Sequence, residues 1–243
     1  MRLLSVPILV SLACVVFVAP LSVIAQAPPA TSPPATSPVA TTRPTGPARW
    51  EKEIAKYEDA DRANPPARGG VVFTGSSTIR GWKTLAADFP DRHVLNRGFG
   101  GSQIVDATHF AERIIFPYAP RMIVLRAGGN DINAGKSAER VFDDYKAFVA
   151  KVRTKLPDTT IVFIGLAPAP LRWTQRDANK RLNELVEAYS KTQPGLRYIE
   201  TYDTTVNPDG SAREELFIKD RLHFNAEGYK LLAERVRPAL AGK

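Results

Sequence analysis

One cysteine, Cys14, stands in 243 residues. It falls inside an apolar N-terminal run, so the rest of the chain has no disulfide, no thiol nucleophile and no cysteine metal site. Histidine is nearly as scarce. His93, His109 and His223 lie far apart with no His-x-x-x-His pair, so a zinc site would have to be gathered from distant carboxylates. Neither a metal nor a cofactor is expected. Charge of one sign is missing from the start of the chain, where no Asp or Glu precedes residue 48 and only Arg2 and Arg43 are basic. The whole chain is basic, with 33 Lys and Arg against 25 Asp and Glu and a formal net charge of +8. That excess is spread along the sequence, and no basic block is interleaved with aromatics. Nucleic acid is therefore not an expected partner, and a general attraction to anionic polymers or cell-surface material is the most the charge supports.

What is present begins with Arg2 and a nearly continuous apolar run from Leu3 to Ala25, closed by Gln26 and Ala27. A charged start, an apolar stretch and small residues at its end match a secretory signal, here residues 1–27. The run is also long enough to serve as an uncleaved membrane anchor, although Pro7 and Pro20 weaken it as a helix. Either way the expectation is an exported protein, periplasmic or extracellular, with a membrane tether in the second case. Residues 28–47 are mostly Pro, Ala, Thr and Ser, with too little apolar surface to offset the entropy of ordering. They read as a linker. Residues 48–243 are then one folded domain.

Within that domain strand-like and helix-like stretches alternate. Val71–Thr74, His93–Asn96, Met122–Leu125, Thr160–Leu166 and Leu196–Glu200 are short, apolar and rich in β-branched residues, as buried strands are. Between and around them, Arg49–Ala63, Ser77–Phe89, Ile104–Ile114, Ser137–Leu156, Leu171–Gln193 and Asn225–Leu240 carry apolar residues at helical spacing. The expected fold class is α/β: a three-layer α/β/α sandwich around a five-stranded, mainly parallel sheet with right-handed crossovers. The loops at the carboxyl ends of the strands must then carry any site.

Those loops hold the reactive residues. Gly75-Ser76-Ser77 ends the first strand, where a serine serves equally as a helix N-cap or as a nucleophile. Gly98 to Ser102 offers backbone N–H groups that a ligand can approach closely. Its glycine pattern lacks the third glycine of a dinucleotide cradle, because Gln103 stands there. Before the last helix, Asp220-Arg221-Leu222-His223 places a carboxylate three residues from an imidazole. Such a carboxylate can hold one ring nitrogen and leave the other free to act as a base. His93 and His109 read as structural or surface residues.

Four segments together resemble the SGNH hydrolases, also called GDSL esterases and lipases. They are Gly75-Ser76-Ser77, Asn96-Arg97-Gly98-Phe99-Gly100-Gly101, Gly128-Gly129-Asn130-Asp131 and Asp220-x-x-His223, in that order over essentially the whole domain. The resemblance implies the flavodoxin-like SGNH fold and makes Ser77 the nucleophile, in a triad with His223 as base and Asp220 as its orienting carboxylate. It also implies an oxyanion hole formed by the backbone N–H groups of Ser77 and Gly101 and the side chain of Asn130. Ser76 departs from the family's Gly-Asp-Ser block, at a position that does no chemistry. The second glycine of the α/β-hydrolase elbow is absent, which makes that superfamily a poorer match.

The expected activity is hydrolysis of O-acyl esters, short-chain or acetyl, on a small-molecule, carbohydrate or lipid substrate. Transfer of the acyl group to an alcohol, and a non-catalytic envelope- or carbohydrate-binding module, are the alternatives on the same fold. In the loop after the fourth strand, Arg172 and Trp173 are candidate substrate contacts at the rim. Trp173 reads equally well as a core residue beneath that loop.

Overall fold

The structure is a computed structural model, and it describes residues 46–241. The expected signal or anchor, and the expected linker as far as residue 45, lie outside the described residues. Gly46 and Pro47, the last two residues of that linker, open a 3₁₀ helix, Gly46–Trp50, whose Trp50 is buried.

In chain order the elements are α1 (Glu51–Ala63), β1 (Val71–Gly75), α2 (Ser77–Gly81), α3 (Leu85–Asp88), β2 (Val94–Gly98), α4 (Ile104–Ile114), β3 (Met122–Arg126), α5 (Gly129–Asn133), α6 (Ala138–Lys155), β4 (Thr160–Ile164), α7 (Arg176–Thr192), β5 (Leu196–Ile199) and α8 (Ala226–Leu240). The five strands form one sheet in the order β2-β1-β3-β4-β5, and every pairing is parallel.

Two cores follow from the two-residue period of the strands. Val72, Ile123, Leu125, Ile161 and Phe163 face α1, α4, α6 and α7, while Phe73, Met122, Val124, Val162 and Ile164 face α2, α3 and α8. Both faces are covered, which is why the strands read as unbroken apolar runs rather than alternating ones. Phe73 is fully buried and its ring lies 5.8 Å from Trp82 and 5.9 Å from Phe89. Truncating it to alanine would cost about 3–5 kcal/mol.

Local differences from the expected elements have identifiable causes. The helix expected over Ser77–Phe89 is broken into α2 and α3 at Trp82. That indole is drawn into the core, 1% exposed, with Nε1 donating to Asp88 Oδ2 at 2.6 Å. Tertiary packing here overrides helical periodicity. His93, expected as the first strand residue, has φ 47 and turns the chain, so β2 starts at Val94. The fourth strand stops at Ile164 because the amide of Asn183 takes over both backbone groups of Leu166, at 2.8 and 3.0 Å. Helix α6 begins as expected, with Ser137 Oγ accepting from the Arg140 N–H.

Candidate active site

All five strands point their carboxyl ends the same way, so the loops after β1, β2, β3 and β4 converge on one edge. The turn after β1 depends on Gly75. Its φ is +126, and a β-carbon there would stand 2.1 Å from the Arg126 carbonyl oxygen. Only glycine allows β1 to pass that close to β3 and then swing into α2. Ser76 occupies the N-cap position of α2, but its side chain makes no capping hydrogen bond. Ser77 is the first helical residue, and its hydroxyl lies 2.8 Å from His223 Nε2.

His223 reaches Ser77 from a loop 146 residues away in sequence. Its other ring nitrogen, Nδ1, lies 2.6 Å from Asp220 Oδ2. The second carboxylate oxygen of Asp220 accepts the backbone N–H groups of Leu222 at 2.9 Å and His223 at 3.0 Å. A left-handed residue, Arg221 with φ 57, bends the loop so that one carboxylate serves both the backbone and the ring. Burial raises the Asp220 pKa, but hydrogen bonds from the His223 ring and from these two N–H groups outweigh it and hold it down to about 2. The imidazole therefore has a permanent anion on Nδ1, which fixes Nδ1–H as the donor and leaves Nε2 to accept the Ser77 proton.

Asn130 lines the same cavity as the serine. Gly101, in the turn after β2, has φ +76, is exposed, and has open space where a β-carbon would be, but it is not among the residues that line the cavity around Ser77. Among the described residues, neither the Ser77 nor the Gly101 N–H donates to any protein acceptor. The expected loop Gly128–Asp131 is partly helical, since Gly128 turns with φ 118 and α5 follows. Asn130 is held at both ends of its amide. Nδ2 donates to the Ser102 carbonyl at 3.0 Å, and Oδ1 accepts from Arg172 Nη1 at 3.0 Å. This fixes which way the amide faces and leaves its second N–H for a ligand.

Arg172 thus does enter the site, lining the same cavity as Ser77, Asn130 and His223. Its neighbour Trp173 does not line that cavity. The Trp173 ring is half-buried with the Arg176 guanidinium 5.8 Å from its centre. His93 and His109 lie elsewhere, the latter with its ring against Phe110.

Three contributors were not singled out from the sequence. Asp131, fully buried, accepts from Lys136 Nζ at 2.9 Å and from the Ile104 N–H, and so ties the Asn130 turn to the start of α4. Burial pushes its pKa up despite the lysine. Ser102 bonds back to the Gly75 carbonyl at 3.0 Å, joining the turns after β1 and β2. Arg126, at the end of β3, also lines the cavity. The Asn-Asp pair and the glycine-serine pair were visible in sequence as polar residues after strands, but their partners are long-range.

The cavity measures about 70 Å³, well below the roughly 300–1,000 Å³ of drug-sized pockets. With a serine hydroxyl on an oriented imidazole, a free Ser77 N–H and the Asn130 amide on the same cavity, this edge is equipped for acyl transfer.

The family model for "GDSL-like Lipase/Acylhydrolase family" matches residues 63–231. Among curated relatives, the platelet-activating factor acetylhydrolase IB subunit alpha1 of Bos taurus is 28% identical over 197 residues, covering 76% of this chain and 79% of that protein. Among solved structures, a GDSL-like lipase from Bacteroides thetaiotaomicron superposes with a TM-score of 0.64 at 20% identity, covering 77% of this chain and 96% of the other. A catalytic mutant of an acetylxylan esterase from Geobacillus stearothermophilus gives a TM-score of 0.56 at 14% identity, covering 73% and 96%. These two likenesses concern the fold.

Proposed function

The chain belongs to the GDSL-like lipase/acylhydrolase family and is a carboxylic ester hydrolase. From that premise we propose that it is an exported serine esterase acting on short-chain O-acyl esters through Ser77, His223 and Asp220. The observation that carries this reading is the unbroken relay from Ser77 Oγ to His223 Nε2 at 2.8 Å and from His223 Nδ1 to Asp220 Oδ2 at 2.6 Å.

Ser77 Oγ attacks the ester carbonyl carbon while its proton passes to His223 Nε2, and Asp220 stabilises the imidazolium. The carbonyl oxygen becomes an oxyanion, met by the N–H groups of Ser77 and Gly101 and by Asn130 Nδ2. Collapse breaks the bond to the alcohol, which takes the proton from His223. Water then attacks the acyl-serine, giving its proton to His223, and the carboxylic acid leaves as Ser77 recovers its proton. Arg172 acts one step back as a positioning residue, since its bond to Asn130 Oδ1 keeps Nδ2 turned toward the oxyanion.

The small cavity supports a short acyl group, and the acetyl group in the names of the bovine and Geobacillus proteins points the same way. Export rests on the signal-like residues 1–27. N-terminal sequencing of protein from the producing cell should find a chain starting near residue 28, and an intact N-terminus in the membrane fraction would favour the anchor.

The decisive test is a series of 4-nitrophenyl esters of increasing chain length with the wild type, Ser77→Ala and Ser76→Ala. Acetate should be the best substrate. The Ser77 variant should lose at least about a thousandfold in kcat/KM, while the Ser76 variant stays within a few-fold. A dead Ser76 variant beside an active Ser77 one would overturn the assignment.

A further inference from the structure

Arg126 presents a problem that the reaction above does not solve. It is 6% exposed at the end of β3, its guanidinium 5.6 Å from the centre of the Phe224 ring. Among the described residues no carboxylate pairs with it. One of its nitrogens, Nη1, donates to the Gly165 carbonyl at 2.8 Å. That carbonyl does not need it, because Thr201 Oγ1 already donates there at 2.6 Å. Burial pushes the Arg126 pKa down to about 10, so the group still carries its charge at neutral pH. An unpaired buried cation is costly to keep. A neutral donor would serve the Gly165 carbonyl as well.

The surroundings say what the charge faces. The cavity that Arg126 lines is the one that holds Ser77 and His223. A second guanidinium, Arg172, lines it too, half-buried and likewise without an acidic partner among the described residues. Among the described residues no Asp or Glu lines this cavity. On the same wall, Asn179 is 6% exposed, and its Oδ1 and the Gln175 Oε1 are buried acceptors with no donor. Two cations and two vacant acceptors, enclosed together beside the nucleophile, fit a ligand that brings a negative charge and hydroxyl groups.

We propose that the natural substrate is an ester bearing a carboxylate, held in the catalytic cavity by the Arg126 and Arg172 guanidiniums. This rests on Ser77 being the esterase nucleophile and adds the substrate's charge. The carboxylate belongs either to the alcohol side, as in an O-acetylated sugar acid, or to the acyl side, as in the half-ester of a dicarboxylic acid. Hydroxyls of a sugar acid would also satisfy Asn179 and Gln175.

Two matched pairs with the full-length enzyme test it. O-acetylated glucuronic acid is compared with O-acetylated glucuronamide, and phenyl hemisuccinate with phenyl succinamate. Within a pair only the charge changes. We expect kcat/KM for the acid of one pair to exceed that for its amide by about tenfold or more, mainly through KM. The pair that shows the preference locates the carboxylate. The ratio should fall toward one in Arg126→Met, whatever that variant's absolute rate, and shrink in Arg172→Gln. Ratios near one in wild type for both pairs, with all four esters hydrolysed, would overturn the carboxylate and leave the esterase standing. A wild-type preference that survives Arg126→Met would overturn the role of Arg126. No hydrolysis of these esters or of 4-nitrophenyl acetate would overturn the esterase reading and this inference with it.

Discussion

Two buried arginines flank the first strand, and they are treated in opposite ways. Arg97 on β2 pairs in register with Thr74, and Arg126 on β3 pairs with Gly75. They are 5% and 6% exposed. Arg97 is matched on every side. Its Nη2 meets the Asp61 carboxylate, Nε donates to the Tyr118 hydroxyl at 2.8 Å, and Nη1 donates to the Asn96 carbonyl at 3.0 Å. Tyr118 in turn donates to Asp61. The rings of Tyr57 and Tyr118 lie 4.8 and 4.9 Å from its guanidinium. Burial and the Asp61 carboxylate push the Tyr118 pKa up to about 12, so the ring stays neutral. Arg126 has one backbone acceptor and one aromatic face. The contrast separates two uses of a buried charge: a saturated one locks α1 to the sheet, and an unsaturated one is turned toward whatever enters the cavity.

If that division holds, substitutions on the cavity side change rates and those around Arg97 change stability. Outside the Ser77, His223 and Asp220 relay the largest effect is expected at Asn130, where alanine should lower kcat by about a hundredfold with little change in KM and in melting temperature. A loss confined to KM would make Asn130 a wall of the pocket and blur the division. Next is Asp61→Ala, which strands the Arg97 charge and should cost about 2–4 kcal/mol. For a domain of this size that lowers Tm by roughly 5–15 °C, while kcat/KM of the folded enzyme at 25 °C stays within a few-fold. An unchanged Tm, read by calorimetry, would break the comparison from the other side.

The smallest effect is one of shape. Because the Asp220 pKa is held at about 2, its carboxylate stays charged as pH falls through the range in which ordinary aspartates titrate. Depressed in this way, it loses its charge only below that range. Above about pH 4, then, protonation of Asp220 should add nothing to the acid limb of kcat/KM, whose slope should not exceed one. A limb of slope two there would show that Asp220 does titrate in that range.

Much of this was legible in advance. Val71–Thr74 and Met122–Leu125 announced central parallel strands because both faces are buried, and Ser77, Asp220 and His223 lie where loops after strands must converge. Trp82 reads as a helical residue in the sequence, since nothing local says that an indole will leave its helix for Asp88 and the core. Arg172 was expected to touch substrate, and its hold on Asn130 depends on two loops 42 residues apart. The place of Arg126 is hidden in the sequence for a similar reason. A charged residue after an apolar strand reads as the strand's exit to solvent, and only the sheet's order brings Gly165, Phe224 and the cavity around it.

The span between Ser77 and His223 has a consequence for the order of events during synthesis. The serine, its turn and the donors at Gly101 and Asn130 are made early, whereas the base and the helix whose Tyr229 hydroxyl bonds to the Thr78 carbonyl at 2.9 Å are made last. A nascent chain carries a serine with no base to activate it. On the proposed mechanism ester cleavage begins only when α8 closes against the sheet, so the chain stays inert while it is still being threaded out of the ribosome.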